Sequence, residues 1–378
     1  MNPRPTAIVL GAGIMGLSTA WGLLRQGFAV HVLDQAPPPN PHGASVDHHR
    51  LIRHAYGARR GYMRMVDQAY AAWDALWADL GQVLHVQTGV LALDCNPGAE
   101  GAWMRESRAA LRDAGYPFEE LPEAALRARY PYLATDDVGA AFFCPQGGVL
   151  LAGRIVEALA KHLVARGVTF ETGRAVALDP ARSALTLEGG ASRGADVLVV
   201  AAGPWAPKLL PGIAARVVAS RQVVVRLAPP QDQRAAWESG PMLLDRLDES
   251  GFYLVPPVAG TPLKIGDHTF SRQGDPDEPS RAADPAEVAR ILGHARRRIP
   301  DLDRFEVLGA MNCFYDVEPE ERFIIEPLGA RGWVMSGFSG HGFKFGAVLG
   351  QRLARAIAHH EDATALTAWA AGEETQPA

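Results

Sequence analysis

The feature that most constrains the fold is a glycine-rich turn between an apolar segment and a helical segment near the N-terminus. Residues 7–10 predict a buried strand, residues 11–16 have the sequence G-A-G-I-M-G, and residues 17–26 predict a helix. A second apolar strand over residues 29–33 ends at Asp34. In such a turn the first glycine permits the tight bend, the second lets a phosphate approach the backbone, and the third lets the helix pack on the strand. The sequence therefore predicts a βαβ unit that binds a dinucleotide.

The dinucleotide prediction names specific residues. The N-terminus of the predicted helix would turn unpaired N–H groups and a partial positive charge towards the phosphates, and Asp34 would accept hydrogen bonds from the adenosine ribose. A glycine-rich turn that served only for packing would not need this acid. The motif alone leaves open whether the cofactor is a nicotinamide or a flavin dinucleotide. The candidate cofactor-binding residues of this unit are Gly11, Gly13, Ile14, Met15, Gly16 and Asp34.

Composition excludes several kinds of partner. Residues 5–24 carry no charge and are long enough for a membrane span, but the four glycines within them favour strand, turn and helix instead. The chain of 378 residues has a net charge of −5, so it has no basic field to hold a nucleic acid or an anionic membrane. Three cysteines are too few for a disulfide framework or a zinc site, and the adjacent His48 and His49 lack a third ligand. We expect no nucleic-acid, membrane or metal binding, and a cytoplasmic location.

The predicted nucleotide-binding sheet resumes after a long excursion. Residues 154–166 predict an amphipathic helix, residues 168–170 a strand, and residues 195–202 a valine-rich strand that ends at Gly203. A buried parallel strand that ends in small residues is typical of a sheet whose edge approaches a ligand, so Gly203 is a further candidate cofactor-binding residue. We expect a discontinuous nucleotide-binding domain made of residues 1–80, 150–215 and 322–378.

The other segments, residues 81–149 and 216–321, predict a second, substrate-side domain. Before them, residues 60–80 have apolar side chains at helical spacing and predict a helix. The strands predicted for the second domain cover residues 83–93, 221–227, 251–255, 263–266 and 307–317. Turn-rich gaps between them indicate a mostly antiparallel sheet. The predicted fold class is α/β, with an α+β second lobe.

A second glycine-rich turn lies near the C-terminus. Residues 333–336 predict a short strand, the next ten residues are G-F-S-G-H-G-F-K-F-G, and residues 347–359 predict a helix. Such a turn before a helix can bring backbone N–H groups against an anionic ligand. It is not the phosphate-binding loop of an ATPase, because Lys344 is displaced from the required spacing and no Ser or Thr follows it.

Five segments together carry a resemblance to a known family. They are R-L-I-R-H-A-Y-G from Arg50, L-K-I-G-D-H-T-F from Leu263, C-F-Y from Cys313, R-F-I-I from Arg322 and G-F-S-G-H-G-F-K-F from Gly337. With these segments in this order, the chain resembles monomeric sarcosine oxidase, N-methyltryptophan oxidase and pipecolate oxidase over nearly its whole length. The resemblance implies an FAD-dependent amine oxidase of the glycine-oxidase and D-amino-acid-oxidase superfamily. It also implies a Rossmann-like FAD-binding domain and a mostly antiparallel-sheet substrate domain.

The resemblance implies roles for four charged residues. Arg53 and Lys344 would bind the substrate carboxylate, a group that Arg and Lys recognise well. Lys264 would promote the reaction of reduced flavin with dioxygen by stabilising the charge that develops, with Arg50 beside the same face of the flavin. A buried lysine is unusual without a task or a partner. A structural salt bridge from Lys264 to an acid that the sequence does not place is therefore the alternative.

Further site residues follow from the same resemblance. Cys313 would attach FAD covalently through a thioether, whereas a free cysteine is otherwise a small buried apolar residue. Tyr315 would line the substrate cavity, and His341 would contact the flavin. The other implied site residues are Tyr253, His268 and Gly340 for the substrate and Gly342 for the cofactor.

The chain departs from the family around the expected cavity. Residues 45–49 are S-V-D-H-H where relatives often have His-His-Gly-Asp, and residues 316–318 are D-V-E where sarcosine oxidase has Thr-Lys-Thr. Sarcosine and larger N-methyl or cyclic secondary amino acids therefore stay open as substrates.

We expect a monomer that uses FAD to oxidise the C–N bond of an N-methyl or cyclic secondary amino acid to an imine and that reduces dioxygen to hydrogen peroxide. Two alternatives stay open: a dehydrogenase that passes electrons to a quinone or a carrier protein, and a non-catalytic flavoprotein subunit. Lys264 argues against the first alternative, and the pair of Arg53 and Lys344 argues against the second.

Overall fold

The computed structural model describes residues 4–96, 100–247, 251–267 and 269–373. These residues form twenty β-strands and eleven α-helices. The strands are β1 (Thr6–Leu10), β2 (Ala29–Asp34), β3 (Arg50–Ile52), β4 (His85–Val86), β5 (Val90–Asp94), β6 (Glu119–Glu120), β7 (Ala140–Cys144), β8 (Gly148–Leu150), β9 (Thr169–Thr172), β10 (Ala175–Asp179), β11 (Ala184–Leu187), β12 (Ser192–Gly194), β13 (Val197–Val200), β14 (Val218–Ala228), β15 (Met242–Arg246), β16 (Phe252–Val255), β17 (Leu263–Asp267), β18 (Glu306–Val317), β19 (Ile324–Pro327) and β20 (Gly332–Ser336). The helices are α1 (Ile14–Arg25), α2 (Arg60–Leu80), α3 (Ala102–Asp113), α4 (Glu123–Arg129), α5 (Ala152–Ala165), α6 (Ala206–Leu209), α7 (Pro211–Ala214), α8 (Arg234–Glu238), α9 (Pro285–Arg296), α10 (Gly346–His359) and α11 (Ala363–Ala370).

Both of the predicted glycine-rich turns directly follow strands of a six-stranded sheet. Its order is β19-β20-β13-β1-β2-β9, and its pairs are parallel except for β19 with β20. The central strands are apolar and almost fully buried, as a parallel sheet covered by helices requires. The predicted βαβ unit at the N-terminus is thus present, with α1 as its helix.

Close packing of α1 against α10 brings the two glycine-rich turns together. A Cβ atom on Gly350 would overlap the backbone of Ser18, and one on Gly22 would lie 2.7 Å from the Cβ atom of Ala354. At the start of α10, a Cβ atom on Gly346 would lie 2.6 Å from a side-chain carbon of Ile14. Only glycine permits such a close approach of two helices. Because α1 and α10 each begin at a glycine-rich turn, their contact sets the distance between the turns.

The second large sheet has eight strands in the order β18-β14-β17-β16-β15-β5-β7-β6. All of its pairs are antiparallel except β15 with β5. The predicted fold class is confirmed: the molecule is mixed α/β, with a mostly antiparallel second sheet. The predicted domain boundaries stay a prediction. Two three-stranded sheets, β3-β8-β4 and β10-β11-β12, accompany the two large sheets.

Several predicted elements have different limits in the structure. The single strand predicted over residues 83–93 is wrong: it is two strands, β4 and β5, separated by residues 87–89. Gly89 has a φ angle of +71°, a left-handed conformation that ends the extended segment. Helix α1 begins three residues earlier than predicted, at Ile14. No helix among the described residues has the length and apolar character of a membrane span.

Candidate active site

Most of the residues that the sequence predicted for the site line one of two adjoining cavities. We call the first the glycine groove; its lining includes Gly11, Gly13, Ile14, Met15, Asp34, Arg50, Gly203, Tyr315, Gly340 and Gly342. We call the second the inner cavity, which has a volume of about 370 Å³ and is lined in part by Arg50, Arg53, Tyr253, Lys264, Tyr315, Gly340, His341 and Lys344. Both linings include Arg50, Tyr315, Gly340 and Phe343. The cavities therefore meet beside these four residues.

The N-terminal turn is held by its own glycines and by Asp34. Gly11 has a φ angle of +113°, and a Cβ atom on it would overlap the carbonyl oxygen of Ala201. One carboxylate oxygen of Asp34 accepts the N–H of Ala12 at 2.7 Å, and the other accepts the amide of Asn40 at 2.8 Å. Asp34 thus stabilises the turn through hydrogen bonds and also lines the groove. Gly16 does not line the groove: a Cβ atom there would overlap the carbonyl oxygen of Gly11, so this glycine serves packing.

The glycine groove has the features that an FAD molecule needs. The start of α1 and the turn before it line the groove with the backbone of residues 11–15, and the positive end of this helix favours phosphates. The hydroxyl oxygen of Ser45 accepts the N–H of Ile14 at 2.9 Å and closes one side. Asp34 lies on the lining with Gly342 and Phe343 of the C-terminal turn. The groove therefore extends from an acid suited to a ribose to the junction with the inner cavity.

Arg53 and Lys344 lie in the inner cavity without a carboxylate partner. The ammonium of Lys344 donates to the hydroxyl of Tyr56 at 2.9 Å and to the carbonyl of His341 at 2.7 Å. The guanidinium of Arg53 lies 4.4 Å from the centre of the Tyr56 ring and donates to the carbonyl of Ala55. Within the described part of the chain, neither cation forms an ion pair with an acid, and the Nε atom of Arg53 is buried without a hydrogen-bond partner.

These two cations need a counter-ion. Burial, together with the nearby charge of Arg53, holds the pKa of Lys344 well below its ordinary value. A buried ammonium beside a half-buried guanidinium is costly unless an anion compensates for the two charges. Arg and Lys together form strong charge-assisted hydrogen bonds with a carboxylate. The inner cavity is therefore suited to an anionic ligand.

Lys264 lies in a different charge cluster, where it is paired with Asp47. Its ammonium donates to Asp47 at 2.7 Å and to the carbonyl of His49 at 2.7 Å. Arg50 also donates to Asp47, at 2.6 Å. Asp47 is the acid that the sequence could not place, so the salt bridge considered as an alternative for Lys264 is present. Lys264 nevertheless lines the inner cavity, so the ion pair and a role at the cavity are compatible.

Burial and charge shift the pKa values of this cluster in opposite directions. Burial lowers the pKa of Lys264 to about 8, although Asp47 opposes the shift. Burial alone would raise the pKa of Asp47, but Lys264 and Arg50 hold that pKa well below its ordinary value. Asp47 is thus a permanent negative charge at neutral pH, and Lys264 is a cation that titrates near physiological pH.

The structure describes all but one of the remaining predicted residues. Cys313 is buried in β18 and lines neither cavity, and burial raises the pKa of its thiol. A Cβ atom on Gly340 would lie 2.7 Å from the ring of Tyr315. His341 lines the inner cavity rather than the groove, and burial holds its pKa well below the ordinary value, so its ring is neutral. His268 lies outside the described residues.

Several cavity residues were not predicted. Tyr56 belongs to the R-H-A-Y-G segment, so its position in a family motif was a usable signal. The ring centre of Trp103 on α3 lies 5.6 Å from the guanidinium carbon of Arg53 and 4.9 Å from that of Arg246. No motif surrounds Trp103 in the sequence. The described residues contain no group of three or more side chains suited to hold a metal ion.

Comparison with known proteins gives a consistent result. A family model described as DAO, FAD dependent oxidoreductase, matches residues 6–356. The chain is 30% identical to a monomeric sarcosine oxidase from Bacillus sp. (strain NS-129) over 363 residues, covering 94% of this chain and 93% of the relative. It is 28% identical to an N-methyl-L-tryptophan oxidase from Yersinia pestis (strain Pestoides F), covering 91% of this chain and 92% of that protein. A modified fructosyl peptide oxidase from Aspergillus nidulans has the same fold, with a TM-score of 0.80, 21% identity, and coverage of 96% of this chain and 92% of its own.

Proposed function

The chain belongs to the DAO family of FAD-dependent oxidoreductases, and from this premise we propose that it oxidises the C–N bond of an N-methyl or cyclic secondary amino acid. With FAD bound as the acceptor, the carbon beside nitrogen would lose a hydride equivalent and the nitrogen a proton, which would leave an imine. Dioxygen would then take the same two electrons and two protons and become hydrogen peroxide. The observation that carries the proposal is a pair of cations, the half-buried Arg53 and the buried Lys344, facing one cavity.

Arg53 and Lys344 would bind the carboxylate of the amino acid. The hydroxyl of Tyr56 and the carbonyl of His341 hold the ammonium of Lys344, and the Tyr56 ring supports the guanidinium of Arg53. A substrate fixed by its carboxylate keeps little freedom at the carbon that reacts, and such positioning is a large part of the catalysis expected here. The relatives named for sarcosine and N-methyl-L-tryptophan support a substrate of this class.

FAD would occupy the glycine groove, where it supplies the two-electron acceptor. The groove residues given above would hold its phosphates and ribose, and Arg50 and Tyr315 line the point where the groove meets the inner cavity. Covalent attachment through Cys313 is part of the proposal. The charges that act on its thiol are those of Arg50, Asp47, Lys264 and Arg281, which supports a position near the junction of the cavities.

Lys264 would supply a fixed positive charge for the reduction of dioxygen. Its side chain is only 3% exposed, so a negative charge that develops nearby would be weakly screened by water.

A monomer is also proposed, because the relative at 30% identity is named for that state.

The competing function is a dehydrogenase, which would differ from the oxidase only in the acceptor that reoxidises the flavin. The third possibility, a non-catalytic flavoprotein, does not explain why Arg53 and Lys344 face one cavity.

Anaerobic mixing of the enzyme with a panel of N-methyl, cyclic and primary amino acids tests the proposal. We expect one class to bleach the flavin absorbance, and colour and hydrogen peroxide to appear as soon as air is admitted. Bleaching followed by slow return of colour would replace the oxidase by a dehydrogenase. Failure of every amino acid to bleach the flavin would contradict the proposed function.

A further inference from the structure

Asp47 is fixed in place by more than its ion pairs. Its backbone carbonyl accepts the N–H of Gly153 near the start of α5 at 2.9 Å. The next residues of the same segment are anchored by the ring of His49, whose Nε2 atom lies 3.0 Å from the carbonyl of Pro262. The Asp47 side chain is only 4% exposed. Its carboxylate is therefore held rigidly beside the ammonium of Lys264.

The titratable and charged groups facing Lys264 come from four elements. Arg226 lies opposite Lys264 in the pairing of β14 with β17, and the Tyr253 ring of β16 is centred 5.9 Å from the ammonium. The others are Cys313 of β18 and Asp47, His48, His49 and Arg50 of the segment before and into β3.

Of these groups in the described chain, Asp47 is the one that is negative at neutral pH. Burial raises the pKa of Tyr253 and of Cys313, which keeps both neutral. Burial lowers the pKa of His49 to about 3, so this ring is neutral as well. Arg50 and Arg226 are positive, and both repel a charged Lys264. Without Asp47, burial and two guanidinium charges would all act against the ammonium form.

We propose that Asp47 is a positioning residue for the reduction of dioxygen: it keeps the buried Lys264 side chain protonated and fixed at the inner cavity. This inference rests on the proposed function, because it concerns the charge that Lys264 offers to dioxygen. The sequence at residues 45–49 departs from the family pattern. Asp47 belongs to this departing segment, and it forms the ion pairs with Lys264 and Arg50. The expected consequence is a dependence of flavin reoxidation on two residues rather than one.

The lysine content of the chain allows a direct test that needs no turnover. Lysine occurs at four positions, Lys161, Lys208, Lys264 and Lys344, so the holoenzyme labelled with ¹³Cε-lysine should give four resolvable NMR signals. Lys264→Met identifies the signal of Lys264. We expect this signal to titrate near pH 8 in the wild-type protein and at least one pH unit lower in Asp47→Asn. Asp79→Asn is the matched control, since Asp79 pairs with Arg25 at 2.9 Å and lines neither cavity.

The rate of flavin reoxidation gives the second measurement. At pH 8 we expect Asp47→Asn to reoxidise about tenfold more slowly than the wild type, which corresponds to a fall in the pKa of Lys264 of a little more than one unit. The pH at which reoxidation declines should also move down in this variant. Asp47→Glu keeps the carboxylate, and in it Lys264 should remain charged at pH 7.

The inference is overturned if Asp47→Asn leaves both the Lys264 titration and the pH profile unchanged. If Asp47→Asn does not fold, a wild-type Lys264 signal that shows a neutral amine at pH 7 overturns it, as does a neutral Lys264 at pH 7 in Asp47→Glu. The proposed role of Lys264 fails separately, if Lys264→Met reoxidises as fast as the wild type.

Discussion

At the scale of single residues, the inner cavity depends on two cations that form no ion pair with an acid among the described residues. Lys344 is aligned by Tyr56 and by the carbonyl of His341, and Arg53 lies over the Tyr56 ring. Burying a charged side chain in a fixed geometry costs free energy, and a bound anion would offset that cost. Removal of either charge should therefore affect substrate binding more than folding.

Substitution Lys344→Met tests this view of the cavity. A hydrogen bond to a charged group contributes about 1.5–3 kcal/mol, so kcat/KM should fall by about 10- to 100-fold, mainly through a higher KM. Steady-state kinetics with the amino acid that bleaches the flavin gives the comparison. Lys161→Met is the matched control, because the Lys161 side chain is 75% exposed and pairs with Glu157 on the surface. A value of kcat/KM within twofold of the wild type for Lys344→Met would be incompatible with the proposed carboxylate site.

Lys264 should act on the oxidative half of the reaction only. In Lys264→Met, stopped-flow reoxidation of the reduced flavin should slow by about 10²-fold or more, the scale of losing one preorganised electrostatic group. Reduction of the flavin by substrate should change much less, because Lys264 is not part of the proposed carboxylate site. Equal slowing of both half-reactions would assign Lys264 to general structural support instead.

Cys313 can be tested against another buried cysteine. If Cys313 attaches FAD, acid precipitation leaves the yellow colour in the pellet for the wild type and in the supernatant for Cys313→Ala. Cys144→Ala is the control, because Cys144 is 4% exposed and free, like Cys313 at 7%. Colour that stays wholly in the wild-type supernatant would show that FAD is not covalently bound.

At the scale of elements, the contact between α1 and α10 positions the two glycine-rich turns. A side chain at Gly350 would force these helices apart, since its Cβ atom would overlap the backbone of Ser18. Overpacking of this kind typically costs about 1–3 kcal/mol. We expect Gly350→Ala to lower the free energy of unfolding by at least that amount and to weaken FAD retention.

The matched control for this prediction is Gly293→Ala in α9. Nothing lies within 4 Å of a Cβ atom at Gly293, so alanine should stabilise the helix by about 0.5–1 kcal/mol. Denaturant unfolding monitored by fluorescence would give both values. An unchanged stability for Gly350→Ala would show that the helix pair adapts without cost.

At the scale of the whole molecule, the segment between β17 and α9 connects the two large sheets. Asp277 in this segment accepts hydrogen bonds from the indole of Trp205 at 2.8 Å, from Lys208 at 2.6 Å and from Arg174 at 2.9 Å. These three donors line the glycine groove. The segment therefore crosses from the substrate-side sheet to the wall of the groove.

Asp277→Ala should loosen this connection. With three hydrogen bonds lost, we expect limited proteolysis within the segment to accelerate by about tenfold or more. Asp303→Ala is a suitable control, because Asp303 pairs with Arg296 on the surface and its side chain is 75% exposed. Proteolysis at the wild-type rate would show that other contacts hold the segment.

The same connection should depend on pH in a defined direction. Burial would raise the pKa of Asp277, but hydrogen bonds from Lys208, Trp205 and Arg174 lower it to about 2. Because the pKa is lower in the folded state, the stabilisation is present above the unfolded pKa near 4 and is lost as the pH falls from about 4 to 2. Wild-type proteolysis should therefore accelerate in that range, and the acceleration should be smaller in Asp277→Ala, where Asp275 still pairs with Lys208.

The sequence predicted the parts of the molecule that depend on local pattern. The strand, glycine turn and helix at the N-terminus, the second glycine turn and helix α2 each have their determinants within a short segment. Asp47 and Lys264, by contrast, are 217 residues apart, and their contact depends on how β17 packs against the segment before β3. Trp103 reaches the inner cavity from α3 for the same reason. Such pairings follow from tertiary packing, which a single sequence does not encode in any local motif.

The central claim is that Arg53 and Lys344 bind the carboxylate of an amino acid that reduces the flavin. The most direct measurement compares anaerobic flavin bleaching by an N-methyl amino acid with bleaching by its carboxamide, which has nearly the same shape and no charge. We predict that the carboxamide is at least about tenfold less efficient, as expected for the loss of charge-assisted hydrogen bonds, and that the difference shrinks in Lys344→Met. Equal bleaching by the acid and the amide would contradict the claim.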